Sequence, residues 1–178
     1  MVITEQYLHN LNACQPGIDL WLTKKEADPI RCVDKLVTIT KHTYATWLIA
    51  HLLTSINAAK FAIYSAENVL SVFEAEYPDD NRPRKAMRSA KRALKNPTKE
   101  NIDAALAAEY AARAAEYAAL AARVARAFQA VLADAALAAE YAARAARAAG
   151  YAISADPAIA NKIIHYGKTL LQKQMKEG

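Results

Sequence analysis

The chain is poor in the residues that phosphate-binding loops, hydrolases and metal sites are built from. It has 178 residues and only four glycines, Gly17, Gly150, Gly167 and Gly178. Glycines that far apart build neither a phosphate-cradling P-loop nor a G-x-G-x-x-G dinucleotide turn. No G-x-S-x-G elbow is present for a serine hydrolase. The four histidines, His9, His42, His51 and His165, are scattered. No H-E-x-x-H or E-x-x-H spacing joins them to a carboxylate, so a zinc site or a di-metal bundle is not expected. The two cysteines, Cys14 and Cys32, fit neither a metal spacing nor a disulfide framework. The longest apolar run, Trp47 to Leu53, is interrupted by His51 and is far shorter than the roughly 20 residues needed to span a bilayer. The first residues, Met1-Val-Ile-Thr-Glu-Gln6, carry neither the basic nor the apolar region of a leader peptide. These absences predict a cytoplasmic protein that is not an enzyme. It has no cofactor, no metal and no membrane partner.

What is abundant is alanine. More than half of residues 104–149 are Ala, the strongest helix former. One straight helix over 98–149 would be about 78 Å long, which a compact domain of this size does not contain. The segment Asp103 to Ala115 recurs letter for letter as Asp134 to Ala146, each copy opening on an Asp suited to a helix start. The spacing predicts an antiparallel Ala-rich hairpin over 98–153, broken between Gln129 and Asp134. Leu106, Tyr110, Arg113, Tyr117, Leu120 and Val124 mark its packing seam. Leu137, Tyr141, Arg144 and Tyr151 repeat it.

No segment has strand alternation, so the fold class is all-α: one domain over 1–178, a bundle of about seven or eight helices. Thr4 to Ala13 reads as a short helix ended by Cys14-Gln-Pro-Gly17, a turn signal. Ile18 to Leu22 follows as a second short helical piece. Asp28-Pro29 caps a helix to about Val37 with Ile30, Val33, Leu36 and Val37 inward. Tyr44 to Ser55 is strongly apolar. Ser55-Ile-Asn57 is a candidate cap for Ala58 to Glu76, where Phe61, Tyr64, Ala66, Val69, Leu70 and Phe73 follow a helical period. Pro78 stops that helix, and Asp80 or Asn81 caps the next. Ser154-Ala-Asp156-Pro157 caps a last helix to about Lys173, with Ile159, Ile163, Ile164 and Leu170 or Leu171 inward.

The helix over 82–95 is basic. Arg82, Arg84, Lys85, Arg88, Lys91, Arg92 and Lys95 lie on it with no acid between Asn81 and Lys99. With a chain net charge of +5, an acidic partner is permitted but not required. A solvated face is the first reading of this helix, a partner-binding face the second and nucleic acid the third, because no aromatics interleave the cations. Glu67 and Glu74 lie seven apart and share a helix face. They read as a solvated face or as partners for a nearby Arg ahead of an acid–base pair. His51, inside an apolar helix, reads as a hydrogen-bonded and partly buried residue.

The run from Ala66 to Ala86, Ala-Glu-Asn-Val-Leu-Ser-Val-Phe-Glu-Ala-Glu-Tyr-Pro-Asp-Asp-Asn-Arg-Pro-Arg-Lys-Ala, resembles immunity proteins of bacterial polymorphic toxin systems. That family pairs an A-E-x-V-L-x-x-F-E-x-x-Y-P-D-D-x-R-P-R-x-A run with a downstream A-A-R-A-A tract, and both occur here in that order. The Asn12-Ala-Cys14-Gln-Pro-Gly17 start is similar to the family's Cys-x-x-Gly stretch. The resemblance implies a protein that binds and neutralises a cognate toxin in the producing cell. Nuclease inhibitors are often acidic, and this chain is basic. Glu67, Glu74, Glu76, Asp79 and Asp80 can supply a local negative patch, or Asp79 and Asp80 can cap a helix and pair with Arg82 and Arg84. The face selected for a partner is Glu74, Asp79, Asp80, Arg82, Arg84 and Arg88, where charge of both signs is densest. The competing reading is a helical scaffold or nucleic-acid-binding protein using the basic helix 82–95. Ala-rich helices bury little area per residue, so a homodimer is also expected.

Overall fold

The computed structural model describes residues 1–76, 78–96, 98 and 157–177. Among them lie seven helices and no strand. They are α1 (Glu5–Asn10), α2 (Gln15–Leu22), α3 (Pro29–Thr38), α4 (His42–Leu52), α5 (Ser55–Glu76), α6 (Arg82–Lys95) and α7 (Pro157–Glu177). The predicted Ala-rich hairpin, its break, its tyrosine seam and the caps at Ser154 and Asp156 lie outside the described residues.

The helix starts follow from local chemistry. Thr4 Oγ1 accepts the Tyr7 N–H at 3.1 Å, and Asp28 Oδ1 accepts the Arg31 N–H at 2.8 Å. Pro29 occupies the first position of α3, where a missing N–H costs nothing. The same logic corrects the expectation at Cys14-Gln-Pro-Gly17. Pro16 and Gly17 do not end α1 but sit in the first turn of α2, with Cys14 as its N-cap. Asn12, in the left-handed conformation at φ 55°, ends α1 instead. Its N–H bonds to the His9 carbonyl and that of Ala13 to the Leu8 carbonyl, the double closure of a Schellman motif. α3 closes the same way through Thr40, whose φ is 57°, a costly conformation for a β-branched residue.

The core is built mainly by α3, α4, α5 and α7. α7 packs against α4, α5 and α3, α3 against α4, and α5 carries α6 on its other side. Ile49, Phe61, Ile163 and Leu171 are fully buried, with Val33 and Ile3. Gly167 marks the closest approach. A Cβ placed there would lie 2.7 Å from Ile49 Cγ2 and 2.7 Å from Phe61 Cε2, well inside contact distance. Tyr166 beside it stacks on Tyr64 of α5, with ring centroids 4.1 Å apart. Gln174 and Lys168 tie α7 to other described residues. Gln174 accepts the Thr54 N–H at 2.7 Å and donates to the Leu52 carbonyl at 2.9 Å, stitching the α4–α5 corner. Lys168 pairs with Asp34 of α3.

No described helix is long and apolar enough to cross a membrane. His51 is partly buried as expected, its Nδ1 2.7 Å from the Trp47 carbonyl and its ring tilted against that of Trp47.

Candidate functional site at the corner of the two charged helices

α5 and α6 form an antiparallel pair joined by a short turn at Pro78 to Asn81. α6 turns Pro83, Ala86, Met87, Ala90 and Ala93 toward the core, and all five are buried. That face follows from apolar residues recurring at i, i+3, i+4, i+7 and i+10 from Pro83, with basic residues between them. Two ion pairs bridge the helices. Arg84 on α6 grips Glu74 on α5 with two hydrogen bonds, Nε to Oε1 at 2.6 Å and Nη2 to Oε2. Lys91 pairs with Glu67. Glu67 and Glu74 are two helical turns apart on α5, as are Arg84 and Lys91 on α6. The pairs therefore form a two-rung ladder that holds the register of the helix pair. The carboxylates act as partners for cations, one of the readings their spacing offered.

The turn is braced by a third pair. Asp80 accepts the Arg82 backbone N–H at 3.0 Å and both arms of the Arg82 guanidinium, Nε at 2.8 Å and Nη2 at 2.6 Å. The forked geometry makes this the stronger class of charge-assisted bond. The expectation that Asp79 and Asp80 pair with Arg82 and Arg84 is corrected in part. Asp80 takes Arg82, but Arg84 reaches back ten residues to Glu74. Asp79 is exposed and makes no ion pair with another described residue. Asn81 is the N-cap of α6 but makes no side-chain cap bond; Asp80 satisfies the first free N–H instead. Its negative charge also faces the positive end of the helix dipole, where Arg82 and Arg84 are themselves poorly placed.

The electrostatics match the wiring. The Arg82 hydrogen bonds pull the Asp80 carboxyl down to about 2 from an ordinary 3.8. Hydrogen bonding by Arg84 lowers that of Glu74, with a smaller contribution from the charge of Arg88. Both carboxyls therefore bind protons less readily in the folded chain than in the unfolded one. The stability they contribute is complete above their unfolded values and disappears as pH falls through the folded ones. Thermal unfolding followed by circular dichroism should show a midpoint that is flat near neutrality and falls from about pH 4.5 toward about pH 2. Asp80→Asn should make that acid limb shallower below pH 3.8. An unchanged limb in the variant would show that the pair has no thermodynamic weight.

All six residues selected from sequence thus sit at or beside one corner: Glu74 at the end of α5, Asp79 and Asp80 in the turn, Arg82, Arg84 and Arg88 along α6. Sequence reasoning offers Glu67 a nearby Arg and does not single out Lys91, its partner in the fold. Their seven-residue spacing, matched on the two helices, was the available signal. The arrangement is a rigid, charge-dense surface without a nucleophile aligned to a base. Among the described residues no group of three or more His, Cys, Asp or Glu is placed to hold a metal ion. Comparison of the chain with protein families, with curated proteins and with solved structures finds no match.

Proposed function

We propose that this protein is a non-catalytic binding protein of the cytoplasm that neutralises a bacterial toxin by covering it, and that the α5–α6 corner meets the toxin. One observation carries the choice of face. Arg82 and Arg84 are locked by two-pronged bonds to Asp80 and Glu74, so the corner offers charges already fixed in position. Fixed side chains lose less entropy on binding than free ones. The role itself rests on the likeness of residues 66–86 to toxin-immunity proteins.

A growth assay tests the role. The polypeptide encoded beside this chain should arrest growth when expressed alone, and co-expression of this chain should restore it through a stable complex. If this chain captures no polypeptide but retains DNA or RNA at physiological salt, the reading fails. The rival, a nucleic-acid-binding scaffold, is favoured by the seven cations of α6. It predicts a steep loss of affinity with salt, a log–log slope of about −0.9 for each phosphate neutralised on duplex DNA. A toxin held on this charged corner also weakens as salt rises, so the two readings are told apart by what is captured, a polypeptide or a nucleic acid.

A further inference from the structure

The seven cations of α6 divide into two sets. Arg82, Arg84 and Lys91 are neutralised by Asp80, Glu74 and Glu67. Lys85, Arg88, Arg92 and Lys95 form no ion pair with another described residue, and all four are exposed. Their spacing, i, i+3, i+7 and i+10, puts them in one stripe about 15 Å long. The stripe lies opposite the buried face made by Ala86, Met87, Ala90 and Ala93. Neighbours at this spacing leave the helix about 5–6 Å apart at Cβ, and like charges so placed repel. Salt screens poorly at that distance, since the Debye length is about 8 Å at physiological ionic strength. The stripe does little for the fold: Arg88 adds a minor attraction to Glu74 and Arg92 and Lys95 suit the C-terminal turn of the helix, but none is fixed by an ion pair with another described residue.

We infer that the outer stripe of α6, formed by Lys85, Arg88, Arg92 and Lys95, docks against an acidic surface of a folded protein. This rests on the binding reading above and specifies the chemistry of the partner's face. The occluded face is then carboxylate-rich, unlike the basic cleft by which a nuclease holds its substrate. The surroundings of the stripe favour a protein over a nucleic acid. Asp79, exposed and in no ion pair with another described residue, stands at its N-terminal end and would repel a phosphate backbone running on past α6. No aromatic side chain lies on α6 for a base to stack on. A folded acidic patch can match the four charges, continue over the paired residues of the corner and stop short of Asp79.

The test is a nuclear magnetic resonance titration of the whole chain at about 0.15 M salt. The probe is an alanine-based helical peptide with four glutamates at the spacing of the stripe. Saturable shifts confined to the amides of α6 are expected. Changing Lys85, Arg88, Arg92 and Lys95 together to Glu should weaken binding by more than about tenfold. Circular dichroism checks that this variant stays helical, since reversing Arg88 puts a like charge near Glu74. The corresponding change to Gln is the control against a folding defect and should weaken binding less. A peptide with four lysines should bind the Glu variant and restore the affinity. No saturable binding, or equal binding by the Glu variant, overturns the inference. So does tighter binding of a short DNA duplex to α6 at the same salt, which would assign the stripe to nucleic acid. A failed growth rescue alongside normal peptide docking would sink the toxin reading and leave this one standing.

Discussion

Phe61→Ala should cost about 3–5 kcal/mol of folding stability, the range for emptying a buried aromatic site. Phe61 has no exposed surface and lies where α5 meets α7. For a protein of this size each kcal/mol moves the thermal midpoint by about 2–4 °C. The variant should therefore melt about 6–20 °C below the parent. Urea unfolding should show the same loss with an unchanged slope, since the surface exposed on unfolding is nearly the same. A loss below about 1 kcal/mol would mean that neighbouring side chains close the cavity, and that this crossing is not the centre of the core.

Gly167→Ala should destabilise the protein, although glycine to alanine inside a helix ordinarily adds about 1 kcal/mol. The new methyl would sit 2.7 Å from both Ile49 Cγ2 and Phe61 Cε2. Both neighbours are fully buried and have nowhere to retreat. Overpacking of this kind costs about 1–3 kcal/mol, occasionally more. The contact also predicts non-additivity. In the Phe61→Ala background half of the obstruction is gone, so the Gly167→Ala penalty should shrink by about 0.5–3 kcal/mol, the usual coupling of touching residues. Denaturant unfolding of the four proteins in the cycle measures it. A stabilised Gly167→Ala protein, or strict additivity, would refute the close approach.

These two positions show what was legible in the sequence. The all-α class, the start of α3 at Asp28-Pro29 and the burial of Phe61 follow from capping and from the 3.6-residue period. Gly167 did not stand out. A glycine within a helical pattern reads as a weak spot, and only the neighbouring helices reveal that its missing side chain admits them. Pro16-Gly17 misled for a related reason. The dipeptide is compatible with a turn and with the first turn of a helix, and here the Cys14 carbonyl accepts the Gly17 and Ile18 N–H groups that open α2. At the corner, the charged residues were legible as a cluster because they crowd one short segment. Their wiring was not. The bond between Arg84 and Glu74 depends on how far α6 folds back along α5, and composition does not encode that distance. The Gln174 tie escaped notice too, since an amide near the end of a basic helix looks solvated until α4 and α5 arrive beneath it.

The position of α7 along the chain also governs the order of assembly. Its bonds to Thr54 and Leu52 join residues 120 and 122 apart, and its pair with Asp34 spans 134. Helical proteins usually fold fast because their contacts are local. Here α3, α4 and α5 leave the ribosome long before the helix that covers them. Their shared apolar surface, around Ile49 and Phe61, must wait uncovered until residues 157–177 have been made. The newborn chain is therefore most vulnerable to aggregation and to proteases during that interval, and the last helix acts as the latch that ends it.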